Sequence, residues 1–349
     1  MAKDNVPFHS VVFPATLIGS QTEKYKWTMV KHLMATEYLN YEDAKFSKSR
    51  GIGVFGNDVA NTEIPSDIWR FYLIYTRPEN ADSAFKWEDL MQKNNNELLA
   101  NLGNFVNRAL KFCKEYFGGK IAEIFMNEKD KAILVEVNKH LKAYLDAMEK
   151  CHLREAISET LSISKRGNQL MQSEKPWELV KSGKEEDRQR AGSVVSFCSN
   201  LTALIALLIE PFMPKLSSEI LKQLNISLHE INVLKDQCVF KCVLQAGHVI
   251  GTPGPLIREI KENEMQKLKG RFAGTQKERE QKKKVKTTSK NEVKVNADIE
   301  KRLSECILSQ DEVIKSLKAS PASKENVDSA IDLILYLKNV QLEMNKGNF

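Results

Sequence analysis

A long stretch of helical periodicity, from about Trp87 to Ile226, constrains the fold of this 349-residue chain more than any other feature. Apolar residues recur there at spacings of three and four, the pattern of helices that bury one face. The most apolar segment predicts a central helix and carries Cys198, Leu201, Leu204, Ile205, Leu208, Ile209 and Phe212. Pro211 and Pro214 are expected to end that helix, because proline lacks the amide hydrogen that a helix interior needs. Antiparallel helices with short connections then predict a bundle.

The residues ahead of the bundle have a different pattern, which predicts the end of an α/β sheet. Phe8 to Pro14 is rich in β-branched and aromatic residues, as expected of a buried parallel strand. The blocks from Lys26 to Met34 and from Thr36 to Tyr41 are interpreted as further strand-forming segments. Pro65 is placed at the first turn of a helix. The sequence therefore predicts a small α+β portion ahead of a mostly helical one.

A short basic loop, Lys45-Phe46-Ser47-Lys48-Ser49, follows the second of these blocks. Its lysines lie three residues apart, and its serines can donate hydroxyl hydrogen bonds to the group that the lysines bind. Such a loop suits a polyphosphate, because ammonium groups neutralise the charge on phosphate oxygens. It is not a P-loop, since no G-x-x-x-x-G-K-[ST] pattern surrounds it. A basic surface turn without a ligand is the alternative.

Three residues of the helical region predict a site that reads single-stranded RNA. Asn104 and Arg108 are four residues apart and share one helix face, whereas their neighbours Leu102 and Phe105 are predicted to be buried. Trp177 directly follows a proline and offers a plate on which a base can stack. From composition alone, a tryptophan is more often a core residue than a base platform. Both interpretations of Trp177 stay open on the residues alone.

The net charge of +6 is unevenly placed along the chain. Between Gln276 and Lys294, eight lysines and arginines accompany three glutamates, a net charge of +5. This segment is interpreted either as a solvated linker or as a tether for polyphosphate chains, whose binding would depend strongly on salt. No run of about 18 apolar residues is present, so no membrane span is predicted. The cysteines and histidines have no metal-ligand spacing, so no bound metal is predicted.

The lysine loop resembles the K-M-S-K-S signature of class I aminoacyl-tRNA synthetases, with Phe46 in place of methionine. The flanking runs MAKDNVPFHS (residues 1–10) and PSDIWRFY (residues 65–72) resemble methionyl-tRNA synthetases, and the similarity continues through most of the chain. The resemblance implies a cytoplasmic ligase that uses ATP, with Mg²⁺, to attach methionine to tRNA(Met). It does not include the family's H-x-G-H signature, which none of the six histidines begins. We therefore expect little or no catalysis by this chain alone.

The resemblance implies catalytic and ATP-binding roles for the lysine loop. Lys45 and Lys48 are expected to be catalytic, because they would neutralise the charge that grows on the pyrophosphate leaving group. Lys45, Ser47, Lys48 and Ser49 are together expected to bind ATP. Phe46 is expected to anchor the loop to an apolar wall, as the usual methionine does.

The resemblance implies two further binding sites. Phe8 and His9 are expected to line the pocket for the methionine side chain, since an aromatic ring and a neutral imidazole suit a polarisable thioether. Asn104, Arg108 and Trp177 are expected to read the CAU anticodon of tRNA(Met). In this assignment Trp177 stacks beneath the first anticodon base, and the other two contact base edges.

The end of the chain resembles a helix-turn-helix appendix called WHEP, which several eukaryotic synthetases carry. Two helical patterns between Asp298 and Asn345 surround a turn at residues 320–323. The resemblance implies that this hairpin binds tRNA, or other synthetases or scaffold proteins, as a further partner.

The complete prediction is an α+β, mostly α chain with four parts. Residues 1–86 form the C-terminal part of a Rossmann-type catalytic domain, and residues 87–245 form the helical anticodon-binding domain. Residues 246–295 form a back-packing helix and a basic linker, and residues 296–349 form the WHEP-like hairpin. A non-catalytic tRNA-binding or multi-synthetase scaffold module is the alternative function, and an incomplete gene model is a third interpretation.

Overall fold

Helices dominate the part of the chain that the computed structural model describes, which is residues 1–42, 46–47, 52–231, 239–273, 304–316, 331–335 and 337–338. The chain divides into two units, Met1–Ala273 and Gly274–Phe349. The α-helices of the first unit are α1 Phe13–Gly19, α2 Gly56–Val59, α3 Ser66–Tyr75, α4 Trp87–Lys93, α5 Asn104–Phe117, α6 Glu128–Glu149, α7 Leu153–Glu174, α8 Pro176–Leu179, α9 Glu185–Ile209, α10 Pro214–Leu224 and α11 Glu262–Phe272. A π-helical segment, Asn94–Gly103, joins α4 to α5. The overall class agrees with the mostly helical prediction.

Helix α9 lies at the centre of the bundle, as its apolar sequence predicts. It packs against α5, α7, α8 and α10, and every residue from Ala191 to Ala206 is buried. The helix is long and apolar enough to cross a membrane, but 94% of its most apolar window is buried inside the protein. Burial on all sides is what an all-round apolar helix needs in the core of a protein. Pro214 begins α10 at its first turn, where a missing amide hydrogen costs nothing.

The strands are fewer than the sequence predicts. Strand β1, Leu39–Tyr41, pairs in parallel with β2, Ser83–Phe85, and no other strand is found in the described part of the chain. The prediction of a strand from Phe8 to Pro14 is wrong, because Phe8–Val12 is a π-helical turn that runs into α1. The predicted strand from Lys26 to Met34 is also absent. A helix satisfies its own backbone hydrogen bonds, whereas β-branched residues favour a strand only where a partner strand is available.

Aromatic rings join the small sheet to the helices that surround it. Phe85 of β2 stacks on Tyr41 of β1 and on Trp69 of α3, with ring centroids 5.7 and 5.4 Å apart. Trp87 donates its indole hydrogen to the Tyr41 hydroxyl at 2.8 Å and stacks on Phe272 of α11 at 5.7 Å. Helix α11 is thereby held against the end of the sheet. This cluster is the core of the sheet-bearing part of the first unit.

Helix α3 holds the corner between α9 and α10 from two sides. The Oδ2 atom of Asp67 accepts a hydrogen bond from the backbone N–H of Leu216 at 2.7 Å, in the first turn of α10. Arg70, almost one turn further along α3, donates to the backbone oxygens of Pro211 and Phe212 at 2.8 and 2.7 Å. A carboxylate at a helix start and a guanidinium at a helix end both match the helix dipole. We call these two contacts the α3 clamp.

An ion cluster of three residues joins α6, α7 and α9. Arg190 donates to Asp130 at 2.9 Å and to Glu174 at 2.7 and 2.9 Å, and the side chains of Asp130 and Glu174 are only 2% and 9% exposed. Lys129 also pairs with Glu174, at 3.1 Å. Burial acts to raise the pKa of Glu174, but its hydrogen bonds from Arg190 and Lys129 outweigh burial, and the net pKa is lowered. Glu174 is thus held as a carboxylate at the end of α7.

The second unit contains a small apolar cluster of its own. Residues 304–316 and 331–335 are helical. Ile307, Ile314 and Ile334 are buried together, and Ile331 and Leu337 pack against them. The basic segment from Gln276 to Lys294 and the predicted turn at residues 320–323 lie outside the described residues.

Gly167 allows α5 and α7 to approach closely, and its replacement tests this packing. A Cβ at Gly167 would overlap the ring of the buried Phe105. We expect Gly167→Ala to lower the free energy of unfolding by about 1–3 kcal/mol, as overpacked cores do. Gly270→Ala in α11 is the control, because no atom lies within 4 Å of the added group there. The control is expected to raise stability by up to about 1 kcal/mol through helix propensity. Equal effects of the two variants in urea unfolding would contradict this packing.

Glu174→Gln tests the ion cluster through its pH dependence. Because the folded-state pKa of Glu174 lies below its ordinary value of about 4.3, its stabilisation is present at neutral pH. That stabilisation is lost as the pH falls through the folded-state pKa. We expect the free energy of unfolding of the variant to be about 1–3 kcal/mol lower than that of the wild type at pH 7. Below about pH 4.3 its stability should fall less steeply with pH than that of the wild type. Glu178→Gln, at a side chain 60% exposed, should change stability by less than about 0.5 kcal/mol. If the free energies of unfolding of the wild type and of Glu174→Gln change with pH in parallel, the ion cluster does not stabilise the fold in this way.

Candidate nucleic-acid interface

The three residues predicted to read an anticodon meet on one surface of the bundle. Asn104 and Arg108 lie one turn apart on α5, with Asn104 exposed and Arg108 half-buried. The Arg108 guanidinium lies over the Trp177 ring, 5.2 Å from its centroid. Their neighbours Phe105 and Val106 are fully buried. The spacing of four residues therefore separates a polar face from a core face, as predicted.

Trp177 is half-buried and sits on the short helix α8, so it is not a core residue. Lys175 ends α7 in the left-handed conformation, with φ of 43°, and Pro176 begins α8. The indole of Trp177 then contacts α5 through Arg108. Glu174, which precedes this turn, is fixed by Arg190 of α9. The ion cluster thereby anchors the residue from which the turn leaves α7.

This surface, which we call the Trp177 surface (Asn104, Arg108 and Trp177), has the groups that unstacked bases require. An indole face offers stacking, while an amide and a guanidinium offer donors and an acceptor for base edges. The cation–π contact between Arg108 and Trp177 holds both side chains in place before any base arrives. A ring and a guanidinium that are already ordered lose less entropy when RNA binds.

A second aromatic pair continues along α5 at the same spacing. Phe112 and Tyr116 stack with ring centroids 4.3 Å apart, and Arg188 donates to the backbone oxygen of Tyr116 at 3.0 Å. These residues were not among the predicted site residues. Their spacing could have revealed them, because positions 104, 108, 112 and 116 follow one another in steps of four and so share one helix face.

The described part of the lysine loop is held by its hydrophobic residue and by one backbone bridge. Phe46 packs against Tyr41 and Phe55, with ring centroids 5.3 and 6.2 Å away. Gly53 has φ of 116°, and a Cβ there would overlap the Phe46 ring. Ser47 and Ile52 exchange two backbone hydrogen bonds of 3.0 Å. Lys45, Lys48 and Ser49 lie outside the described residues.

The two residues predicted to bind methionine are exposed in the structure and not buried. Phe8 and His9 lie in the π-helical turn Phe8–Val12, which has no buried residue, and Phe8 is 60% exposed. The buried strand expected around them is therefore corrected to an exposed helix, and their pocket stays a prediction. Within the described ranges no group of three or more metal-ligating side chains is found.

Comparisons with known proteins match two successive parts of the chain. A family model described as tRNA synthetases class I (M) matches residues 1–110. A second, described as the anticodon binding domain of methionyl tRNA ligase, matches residues 122–277. The cytoplasmic methionine–tRNA ligases of Homo sapiens and Bos taurus are 44% and 43% identical over 352 and 347 residues. In both cases the match covers 99% of this chain, which spans 37% of the relative's length.

Solved structures share the same fold. The Mycobacterium tuberculosis methionyl-tRNA synthetase in complex with methionyl-adenylate superposes with a TM-score of 0.65 at 22% identity, over 73% of this chain and 48% of that one. The apo form of the same enzyme gives a TM-score of 0.62. Two family models together match residues 1–110 and 122–277, and relatives above 40% identity match nearly the whole chain: the chain belongs to the methionyl-tRNA synthetase family.

Proposed function

We propose that this chain supplies the anticodon-reading bundle and the lysine loop of a cytoplasmic methionine–tRNA ligase. The observation that carries the proposal is the Trp177 surface, where the Arg108 guanidinium lies 5.2 Å above the indole beside the exposed Asn104. Trp177 would stack on the first base of a CAU anticodon. Asn104 and Arg108 would contact base edges, because an amide both donates and accepts while a guanidinium only donates.

The lysine loop would act on ATP. In the proposed reaction the methionine carboxylate attacks the α-phosphate, pyrophosphate leaves, and the aminoacyl group then passes to the 3′ end of tRNA(Met). Lys45 and Lys48 would neutralise charge on the leaving phosphates, and Ser47 and Ser49 would donate hydrogen bonds to the same oxygens. Phe46 supports this role, since its ring packs beside Tyr41 and fixes the start of the loop. Mg²⁺ would enter with the nucleotide, and Phe8 and His9 would contact the methionine side chain.

The basic segment and the terminal hairpin would add a second contact with tRNA. The segment from Gln276 to Lys294 carries a net charge of +5, which suits the RNA backbone without regard to sequence. In the second unit, the buried set of Ile307, Ile314 and Ile334 supports a helical hairpin of the WHEP type. Docking of this hairpin on another synthetase or a scaffold protein is the alternative, and the salt dependence described below distinguishes the two.

Trp177→Ala tests the anticodon site. We expect the free energy of binding to a tRNA with a CAU anticodon to weaken by about 1–3 kcal/mol, which is the value of one base-aromatic stack. The midpoint of thermal unfolding should change little. Trp27→Ala is the matched control, since Trp27 is 49% exposed in a different part of the unit. Fluorescence anisotropy against tRNAs with CAU and altered anticodons gives both affinities. Normal binding by the folded Trp177→Ala variant would reject the proposed stacking.

Replacement of residues 276–294 by a glycine–serine linker of equal length tests the second contact. The change removes five net positive charges and leaves the Trp177 surface intact. Affinity should fall equally for cognate and non-cognate tRNA, and the slope of log affinity against log salt should become shallower by up to about four. A chain that ends at residue 295 keeps the segment and controls for the hairpin. An unchanged salt slope would identify the segment as a linker and favour a protein partner for the hairpin.

A further inference from the structure

A cavity of about 140 Å³ lies beside the α3 clamp, where α3, α10 and the segment 256–260 meet. Most of its wall is apolar and includes Ile64, Ile68, Leu216, Leu256 and Ile260. An engineered apolar cavity of about 150 Å³ in another protein is large enough to bind benzene. The space here therefore suits one six-membered ring or an aliphatic group of similar size.

One carboxylate oxygen in this wall has no partner. Asp67 is 4% exposed, and its Oδ2 atom accepts from the backbone N–H of Leu216 at 2.7 Å. Its Oδ1 atom is buried and has no hydrogen-bond partner in the described structure. A buried acceptor without a donor costs about 1–3 kcal/mol, so a ligand that donates to Oδ1 would recover that free energy.

The other polar groups of the wall are mostly engaged elsewhere. Arg258 forms two hydrogen bonds with Glu264, at 2.7 and 2.8 Å. Asn94 donates to the backbone oxygen of Arg258 at 3.0 Å. Glu219 pairs with Lys222. Lys215 also lines the cavity and is an exposed residue. The unsatisfied demand inside the cavity is thus for a hydrogen-bond donor, and preferably for a positively charged one.

We propose that this cavity is a binding site for a small organic cation, a primary ammonium or amidinium group on a compact apolar body. The cation donates to Asp67 Oδ1, and the apolar body fills the space among the isoleucines and leucines. The ligand contacts α3, α10 and the segment 256–260 at once, so it stabilises the arrangement of all three by mass action. Because Asp67 also holds the start of α10, ligand binding acts directly on the α3 clamp.

Calorimetric titration of the full chain with benzylamine tests the site, with benzyl alcohol as the uncharged probe of the same shape. We expect saturable binding of benzylamine, and binding of benzyl alcohol weaker by roughly ten- to a hundredfold, because its hydroxyl can donate to Oδ1 but carries no positive charge. Asp67→Asn should weaken benzylamine binding by a similar factor. Leu256→Trp, at a half-buried position on the wall, should abolish binding by filling the cavity, and it leaves both residues of the α3 clamp unchanged.

Several results would overturn the proposal. Absence of saturable heat with benzylamine would show that the cavity does not bind a small organic cation. Equal affinities for benzylamine and benzyl alcohol would show that Asp67 attracts no cation. Unchanged benzylamine binding by a folded Leu256→Trp variant would place the ligand elsewhere. The Leu256→Trp variant therefore tests the proposal even if Asp67→Asn fails to fold.

Discussion

The α3 clamp is the interaction on which the arrangement of the first unit depends. Asp67 and Arg70 lie three residues apart on α3 and hold the two sides of the corner that joins α9 to α10. Helix α9 is the buried centre of the bundle, so a constraint on its C-terminal end orients every helix packed around it. Trp69, which lies between these two residues on α3, stacks on Phe85 in the aromatic cluster of the sheet. One short helix therefore contacts both the helical bundle and the sheet that precedes the lysine loop.

The Trp177 surface is assembled by core interactions that lie beneath it. Gly167 lets Phe105 approach α7 and fixes α5, which carries Asn104 and Arg108. Arg190 fixes Glu174, from which the chain turns to place Trp177 on the guanidinium of Arg108. Because these side chains are held before RNA arrives, binding would spend little free energy on ordering them. This arrangement suits a site that must separate anticodons by contacts to single bases.

Local periodicity predicted much of this structure, and long-range contacts account for most of what it missed. The spacing of Asn104 and Arg108 placed both on one face of α5, and the apolar run of α9 predicted its central position. The helix at Phe8–Val12 was missed because β-branched residues indicate a strand only where partner strands exist. The cluster of Asp130, Glu174 and Arg190 joins residues up to 60 positions apart, so no spacing rule reveals it. The cavity beside Asp67 depends equally on three segments that meet only in the fold.

Native-state hydrogen exchange across a urea series tests the role of the α3 clamp most directly. The amides of α3 and of α9 are followed in the wild-type chain and in Arg70→Met, which keeps the length of the side chain but removes its donors. We predict that the two helices exchange through one common opening in the wild type, with equal free energies and equal urea dependence. In Arg70→Met, α3 should exchange by a separate opening of lower free energy while α9 retains its protection. Separate openings of α3 and α9 in the wild type would contradict the claim that the clamp joins the two parts.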